Sequence, residues 1–330
     1  MSKNKSRIFG AVILFLIVSI LLSLCLGAAN ISLPQLWQAI IDGPENTAGF
    51  IFWYSRLPRT LACVLAGAAL AASGCVIQSV LGNKLASPGI IGVNAGAGLA
   101  VTICCGVGLL SGWAIALSSF GGAMLSVMLV MYIAKKTGAS RTTVILAGVA
   151  VNSILNAMSE AVVTLIPEVG IMSSDFRVGG FSSVVHTRLI PAAVIIVAAL
   201  LILLTLCNEL DVLALGEETA GSLGLSVKKI RPLFLVLSAM LAGAAVSFAG
   251  LLGFVGLIIP HAGRRLVGGE SRYLLPLCIL GGAGFVTACD LAARLLFAPY
   301  ELPVGILMAV IGGPFFLLLL LKRRGGRTHD

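Results

Sequence analysis

The sequence predicts an all-α, polytopic membrane protein of about ten transmembrane helices. Of its 330 residues, 58% are hydrophobic and only 11% are charged, and the mean hydropathy is +1.08. A soluble domain of this length needs a larger polar share to cover its exterior. The apolar residues also fall in runs of about 20, the length of helix that crosses the roughly 30 Å hydrocarbon layer of a bilayer. We therefore treat residues 1–330 as a single transmembrane domain.

Nine apolar runs are long enough to cross a bilayer. A pair of them near the start is rich in Gly and Ala, and its small residues at Gly67 and Gly96 leave flat faces on which another helix can pack closely. In chain order the runs are 8–29, 60–81, 88–110, 113–134, 143–166, 189–207, 230–252, 273–297 and 302–321.

The charges at the chain ends require an even number of crossings. Basic residues precede the first run and follow the last, which predicts that both termini are cytoplasmic. The stretch 233–262 has no Asp, Glu, Lys or Arg, and it is too long for one crossing and too short for two. We therefore expect Gly253–Val267 to form a short, partial helix, which raises the count to ten.

The distribution of Lys and Arg supports this topology. On it, 17 of the 22 basic residues lie on the cytoplasmic side, as the positive-inside rule expects. The same distribution argues against nucleic-acid binding despite a net charge of +9, because the charge is spread over short loops. The five exceptions, all on the external side, are Arg56, Arg59, Arg177, Arg188 and Arg294.

An internal repeat points to a transporter. LAGAALAASG at 65–74 recurs as LAGAAVSFAG at 241–250, with six of ten letters identical. The predicted topology runs the two copies in opposite directions across the membrane. Inverted repeats around a central pathway are typical of transporters.

The sequence lacks the motifs of several other functions. It contains no Gly-x-x-x-x-Gly-Lys-Ser/Thr loop, so ATP hydrolysis would need a partner. Its eight cysteines form no Cys-x-x-Cys pair, which favours small buried side chains over a zinc or iron-sulfur site. A single His261 makes no metal site, and we expect no metal, no cofactor bound by this chain and no enzymatic activity.

Seven motifs in order resemble the FecCD-type permeases, the membrane subunits of type II ABC importers for iron-siderophores, haem and cobalamin. Two departures, Lys84 and Asn94, stand where the family often has Pro and Ser. The motifs are RLPR at 56–59, LAGAAL at 65–70, NKLASPGIIGVNAGA at 83–97, LGEETAGSLGL at 215–225, FVGLIIPHAGR at 254–264, DLAAR at 290–294 and ELPVGI at 301–306.

The resemblance implies a function and a set of partners. The chain would be the permease of an importer in the cytoplasmic membrane of a bacterium, with an iron-siderophore as first choice of cargo and haem or cobalamin as alternatives. A second permease subunit, identical or a sister, would complete the dimer. Two cytoplasmic ATPases would carry ATP and Mg, and an extracytoplasmic binding protein would deliver the cargo.

The external arginines are candidates for docking that binding protein. An arginine at the outer edge of a membrane can simply reach lipid phosphates, and this alternative stays open for each one. Asp290 stands one helical turn before Arg294 and can orient it. In the family, arginines at the positions of Arg56, Arg59 and Arg294 receive acidic side chains of the binding protein, a task that suits bidentate guanidinium groups.

The loop 208–229 is the longest predicted cytoplasmic segment. Glu217 and Glu218 fall where acidic side chains favour the start of a short helix, and Gly221 and Gly224 allow a tight exit. On these residues alone an ordinary solvated connector is as good an interpretation. The loop is similar to the coupling helices of the family, which dock on the ATPase, and the resemblance thereby assigns coupling to Glu217, Glu218, Thr219, Ala220, Gly221, Leu223 and Gly224.

The run 143–166 carries polar residues four apart: Asn152, Asn156 and Glu160. Polar side chains are costly against lipid, so this face should look into the bundle or a water-filled passage, with interhelical hydrogen bonding as the open alternative. The resemblance implies that this helix lines the pathway at the dimer axis. The turns at its cytoplasmic mouth would then form the gate: Asn83, Lys84, Leu85, Ser140, Arg141 and Thr142.

The external segment before residue 189 and the carboxylates of the bundle each carry a further expectation. The external segment 167–188 is predicted to form a short surface helix and loop at the outer lip of the pathway. Carboxylates within the bundle, Glu160 and Asp290, leave open a secondary transporter driven by protons or sodium. A non-transporting membrane scaffold is a further alternative.

Overall fold

The computed structural model describes residues 3–27, 33–138, 140–296, 298 and 300–324, and these residues contain helices and no strand. A 3-10 turn (Pro88–Ile91) and a π-helical turn (Phe52–Arg56) adjoin helices of the bundle. The helices are α1 (Lys3–Cys25), α2 (Leu33–Asp42), α3 (Thr47–Ile51), α4 (Leu57–Leu81), α5 (Val93–Gly106), α6 (Gly112–Lys136), α7 (Arg141–Leu165), α8 (Pro167–Met172), α9 (Ser174–Val178), α10 (His186–Thr205), α11 (Cys207–Ala214), α12 (Glu217–Ser222), α13 (Val227–Ala249), α14 (Val255–Val267), α15 (Ser271–Leu295) and α16 (Val304–Arg324).

Within this described part, seven membrane-length stretches and three shorter helices build the bundle, which is consistent with the expected count of about ten. Seven helical stretches are long and apolar enough to cross a membrane, and α5 and α16 have shorter apolar stretches. The tenth is α14, 13 residues long, in place of the partial helix expected over Gly253–Val267. The run 88–110 is interrupted at its start, because Pro88 opens a 3-10 turn and Gly92 takes a φ of +97° before α5 begins.

Tertiary contacts define two ends of the bundle. We call one the Arg59 end, where α4 starts and α1 and α15 finish. We call the other the Glu217 end, which holds the end of α4, the starts of α7 and α15, and helices α11 and α12. At 1.5 Å per residue the 25 residues of α4 separate the two ends by about 37 Å. Lys5 lies 3.6 Å from Glu270, so α1 starts at the Glu217 end.

The helix α4 lies at the centre, in contact with α13, α14 and α15. Its glycines permit backbone contact: a Cβ on Gly67 would lie 2.2 Å from the Gly282 oxygen of α15, and a Cβ on Gly74 would lie 2.0 Å from the Gly256 oxygen of α14. Gly96 of α5 meets α6 at Gly122 in the same way. Helices therefore cross closely at both small-residue faces that the sequence indicated.

The connection from α13 to α14 is strained. Phe254, the first residue before α14, has a φ of +65°, and no other described non-glycine residue has a positive φ. Its ring packs where a side chain on Gly312 of α16 would lie. The amide of Leu251 donates to the Phe176 carbonyl (2.9 Å), and that of Gly180 donates to the Ala249 carbonyl (2.9 Å). These bonds attach the bend to α9 and to the segment after it.

Candidate functional site

One face of α7 is exposed along its whole length and is mixed in polarity. Its members recur every three or four residues, and five of the seven carry hydroxyl, amide or carboxylate groups. Such a face is costly to place against lipid. It therefore suits a protein interface or an aqueous passage. The exposed residues of this α7 face are Thr142, Leu146, Val149, Ser153, Asn156, Glu160 and Thr164.

The three residues predicted to line a pathway divide into two groups. Asn156 and Glu160 lie on the α7 face, and Glu160 forms an ion pair with Arg177 of α9. Asn152 is half-buried, and its amide donates to the carbonyls of Gly89 (2.8 Å) and Ile90 (3.2 Å). Interhelical hydrogen bonding therefore describes Asn152, which ties α7 to the turn before α5.

The Arg59 end contains a buried ion-pair cluster. The Nε and Nη2 atoms of Arg59 donate to both carboxylate oxygens of Asp290 at 3.0–3.2 Å, and its Nη1 donates to Glu301 at 2.7 Å. The Asp290 carboxylate is 1% exposed and also lies 3.1 Å from Nε of Arg294. One carboxylate thus holds two guanidinium groups, from α4 and from α15.

The remaining arginines of this cluster point toward the end of α1. Arg294 donates to the Ser23 hydroxyl at 2.8 Å, and Arg56 donates to the Leu24 carbonyl at 2.7 Å. Both residues are buried, at 7% and 4% exposure, so they do not extend to lipid headgroups. The three predicted docking residues are therefore together. Arg56 and Arg294 are buried, whereas Arg59 is partly exposed and binds exposed Glu301.

The predicted coupling loop folds into α11 and α12 at the Glu217 end. Gly216, with a φ of +118°, separates the two helices, and Gly224, with a φ of +83°, follows α12. Gly221 lies inside α12, so the tight exit is made by Gly224 alone of the two glycines predicted for it. Glu217 forms an ion pair with Arg231 of α13 at 2.6 Å, which fixes the start of α12 to the bundle.

The outward surface of α12 combines acidic and apolar groups. Glu218, Thr219, Gly221 and Gly224 are exposed, whereas Ala220 is buried. Ala220 therefore packs α12 onto the bundle and cannot contact a partner. The exposed leucines Leu215 and Leu223 flank the helix, at 63% and 62%. The sequence does not indicate that Leu215 is exposed, because no single-sequence pattern distinguishes it from a buried leucine of the loop.

The residues predicted as a gate come together at the Glu217 end. Gly82 ends α4 with a φ of +60°, and Asn83 accepts the amide of Leu85 at 3.0 Å to form a tight turn. Ser140 caps α7 by accepting the amide of Thr143 at 3.1 Å. The Arg141 guanidinium covers Gly82, where a Cβ would lie 2.6 Å from Nη1. Lys84 and Thr142 are exposed beside this junction.

A cavity of about 520 Å³ opens at the Arg59 end. Its charged lining residues are Arg59, Asp175, Arg188 and Glu301, and the segment after α9 forms another wall.

The region 167–188 contains two short helices, α8 and α9, where the sequence suggested one. Among the described residues no group of three His, Cys, Asp or Glu side chains is placed to hold a metal ion.

Comparison with known proteins gives concordant matches. The model of the FecCD transport family matches residues 15–322. The vitamin B12 import system permease protein BtuC of Klebsiella pneumoniae is 36% identical over 330 aligned residues, covering 98% of this chain and 96% of that protein. The hemin transport system permease protein HmuU of Yersinia pestis is 33% identical, covering 97% and 96%.

Solved structures agree with these relatives. An inward-facing structure described as a metal-chelate type ABC transporter superposes with a TM-score of 0.85 at 30% identity, covering 96% of this chain and 99% of that one. PsaBC from Streptococcus pneumoniae, at 16% identity and a TM-score of 0.58, shares the fold.

Proposed function

The chain belongs to the FecCD transport family, and we propose on that basis that its α7 lines the passage through which an ABC importer takes up a bulky metal chelate. Members of the family are transport subunits rather than enzymes, and a separate ATPase hydrolyses ATP. The chain is accordingly a multi-pass membrane permease.

The exposed α7 face carries the proposal. Its hydroxyl and amide groups lie among apolar side chains, and Glu160 is neutralised by Arg177. A lining of this kind offers weak, distributed contacts and no tight cage, which suits a large cargo that must leave again. The proposed arrangement places the α7 faces of two permease subunits on opposite sides of the passage.

An iron-siderophore is our first candidate for the cargo. The relatives named for vitamin B12 and hemin favour a corrinoid or haem as the second candidate. All of these compounds hold a metal inside a large organic ligand. The same passage could therefore serve any of them, and the binding protein would make the first selection.

Reconstituted transport tests the proposal. The permease is placed in proteoliposomes with its ATPase subunits and binding protein, and labelled iron-siderophores, haem and corrinoids are supplied outside. We expect uptake of at least one chelate that stops when ATP is withheld and that is insensitive to ionophores. Uptake that persists without ATP and stops when the ion gradient is dissipated would identify an ion-coupled secondary transporter instead.

We assign the docking of the ATPase to the exposed surface of α12. Two ATPase subunits, one for each permease of a dimer, would receive Glu218, Leu223 and Leu215. Leu215 and Leu223 lie on either side of α12 next to exposed Glu218, and together they form a mixed apolar and acidic surface that suits a protein partner. On this assignment the Glu217 end and both termini face the cytoplasm, which agrees with the distribution of Lys and Arg.

Leu223→Ser is expected to reduce ATP-dependent uptake about tenfold to a hundredfold, because burying one leucine in an interface contributes about 1.5–3 kcal/mol. The measurement is initial uptake rate together with the amount of ATPase that co-purifies with the permease. Leu266→Ser is the matched control, since Leu266 is 53% exposed near the same end but belongs to α14. Equal rates in the two variants would remove α12 from the ATPase interface.

The binding protein is proposed to dock at the Arg59 end. Arg59 has an exposed carboxylate partner, Glu301, beside a cavity of about 520 Å³. An acidic side chain of the binding protein would replace Glu301 on Nη1 of Arg59, with Asp290 keeping the guanidinium in place. Arg56 and Arg294 would contribute positive charge from below the surface and hold the end of α1.

A further inference from the structure

Arg141 occupies a junction between three helices at the Glu217 end. It is the first residue of α7, and its Nη2 donates to the carbonyl of Leu213 at 2.6 Å, with the Ala214 carbonyl at 3.5 Å. Both carbonyls lie at the end of α11, immediately before α12. The same guanidinium lies on Gly82 at the end of α4. Arg141 therefore connects the α7 face to the helix pair that carries the proposed ATPase surface.

The position of Arg141 is unfavourable within its own helix. A cation in the first turn opposes the helix dipole of α7, whereas a cation at the end of α11 is favourable and gives the Leu213 carbonyl a charged donor beside the Gly216 amide, which it accepts at 3.3 Å. The hydrogen bond is charge-assisted and therefore stronger than a neutral one. The contact with α11 thus accounts for an arginine that local helix preferences disfavour.

The surrounding charges connect this junction to α12. The Arg141 guanidinium is repelled by Arg231 and attracted by Glu217. Glu217 is the first residue of α12 and forms its ion pair with buried Arg231 of α13. A displacement of α12 therefore changes the electrostatic field at Arg141 and moves the carbonyls that Arg141 binds.

We infer that Arg141 is the positioning residue that transmits movement of α12 to the pathway helix α7. This inference rests on the proposed function and makes Arg141 a link between two helices, in addition to its place beside the gate. When the ATPase moves α12, the pull on Leu213 is passed to the first turn of α7. The mouth between Asn83–Leu85 and Ser140–Thr142 would open or close as a result.

Cysteine labelling measures the coupling between α12 and α7 without any cargo. Seven of the eight native cysteines are buried, and Cys25→Ser removes the half-buried eighth. Thr142→Cys in this background places a thiol on the exposed first turn of α7. The complete complex is treated with a water-soluble maleimide, once without nucleotide and once trapped with ATP and vanadate. The parent is expected to label at least fivefold differently in the two states, and equal rates in the parent would overturn the inference.

Arg141→Gln in this background removes the charge and the contact with Leu213. We expect ATP hydrolysis to stay within about twofold of the parent, the labelling difference between states to disappear, and cargo transported per ATP to fall at least tenfold. A labelling difference as large as that of the parent would overturn the inference. Because labelling needs no cargo, a wrong choice of chelate leaves this result intact and affects only the transport assay.

Two further variants exclude a general loss of structure or charge. Lys136→Gln removes a positive charge from exposed Lys136 at the end of α6 and is expected to behave as the parent. Arg141→Lys keeps the charge but not the planar group that spans Gly82 and Leu213. Should Arg141→Gln fail to assemble, the labelling difference is measured in Arg141→Lys, where we expect at least a threefold reduction; an undiminished difference there overturns the inference.

Discussion

Replacing Asp290 with Ala is expected to destabilise the permease more than any other single side-chain truncation at the Arg59 end. The carboxylate is 1% exposed and neutralises Arg59 and Arg294, which come from two different helices. Its removal leaves two buried guanidinium groups without their shared counter-ion, at a cost of about 3–5 kcal/mol. We expect a fall of about 10 °C in the midpoint of thermal unfolding of the purified protein.

The matched control is Glu301→Gln. Glu301 binds the same Arg59 but is 41% exposed, and an exposed ion pair contributes about 0–1 kcal/mol. Its unfolding midpoint should therefore stay within about 2 °C of the parent. If both variants lose the same stability, the cluster is not organised around Asp290.

Glu301→Gln also tests docking. Removal of a competing carboxylate should tighten the affinity of the binding protein for the permease, and weaker binding would assign Glu301 itself to the interface.

The second large effect is expected at the crossing of α4 and α15. A Cβ on Gly282 would lie 2.3 Å from the Gly67 oxygen and 2.5 Å from the Ala71 Cβ, both on α4. Backbone cannot move aside as a flexible side chain can, so Gly282→Ala must separate the two helices. We expect a loss of roughly 1–3 kcal/mol or more and a reduced yield of folded protein in size-exclusion chromatography.

The neighbouring glycine provides the control. A Cβ on Gly281 would lie 3.7 Å from Ile259 and 3.9 Å from Val12, which are ordinary contacts. Gly281→Ala should be neutral or should stabilise by about 0.5–1 kcal/mol, because Ala is the better helix former. Of two adjacent Gly→Ala substitutions in one helix, Gly282→Ala is thus expected to destabilise the protein and Gly281→Ala is not. Equal losses would show that the effect comes from helix α15 as a whole and not from its contact with α4.

Hydropathy and charge were sufficient to predict the membrane bundle. Basic residues at both ends require an even number of crossings, which predicts a partial helix over Gly253–Val267. The structure has this helix, α14, at Val255–Val267. Two short helices, α2 and α3, lie between α1 and α4 and were not predicted. They are too short and too amphipathic to produce a membrane-length apolar run, and their packing against Phe52 depends on tertiary contacts.

The main contacts of the candidate site join residues that are far apart in the sequence. The pairing of Asp290 with Arg294 follows from helical spacing and is present. The stronger bidentate pairing of Asp290 with Arg59 joins residues 231 positions apart, and no local pattern indicates it. The carboxylate of Asp211 that accepts the Ser271 amide at the start of α15 is equally non-local, with a separation of 60. Local spacing identified the charged residues but not their main partners.

The glycine contacts of α4 restrict which helices of the molecule can accept changes in sequence. In its apolar stretch 83% of the residues are buried, against 28% in α7 and in α10. Backbone contacts on two sides prevent α4 from sliding or turning, because any larger side chain brought into register would collide with a neighbouring carbonyl. Rearrangement during a transport cycle thus falls to helices at the periphery. If α7 lines the passage as proposed, substrate preference can diverge among descendants through α7 while the fold they inherit is preserved.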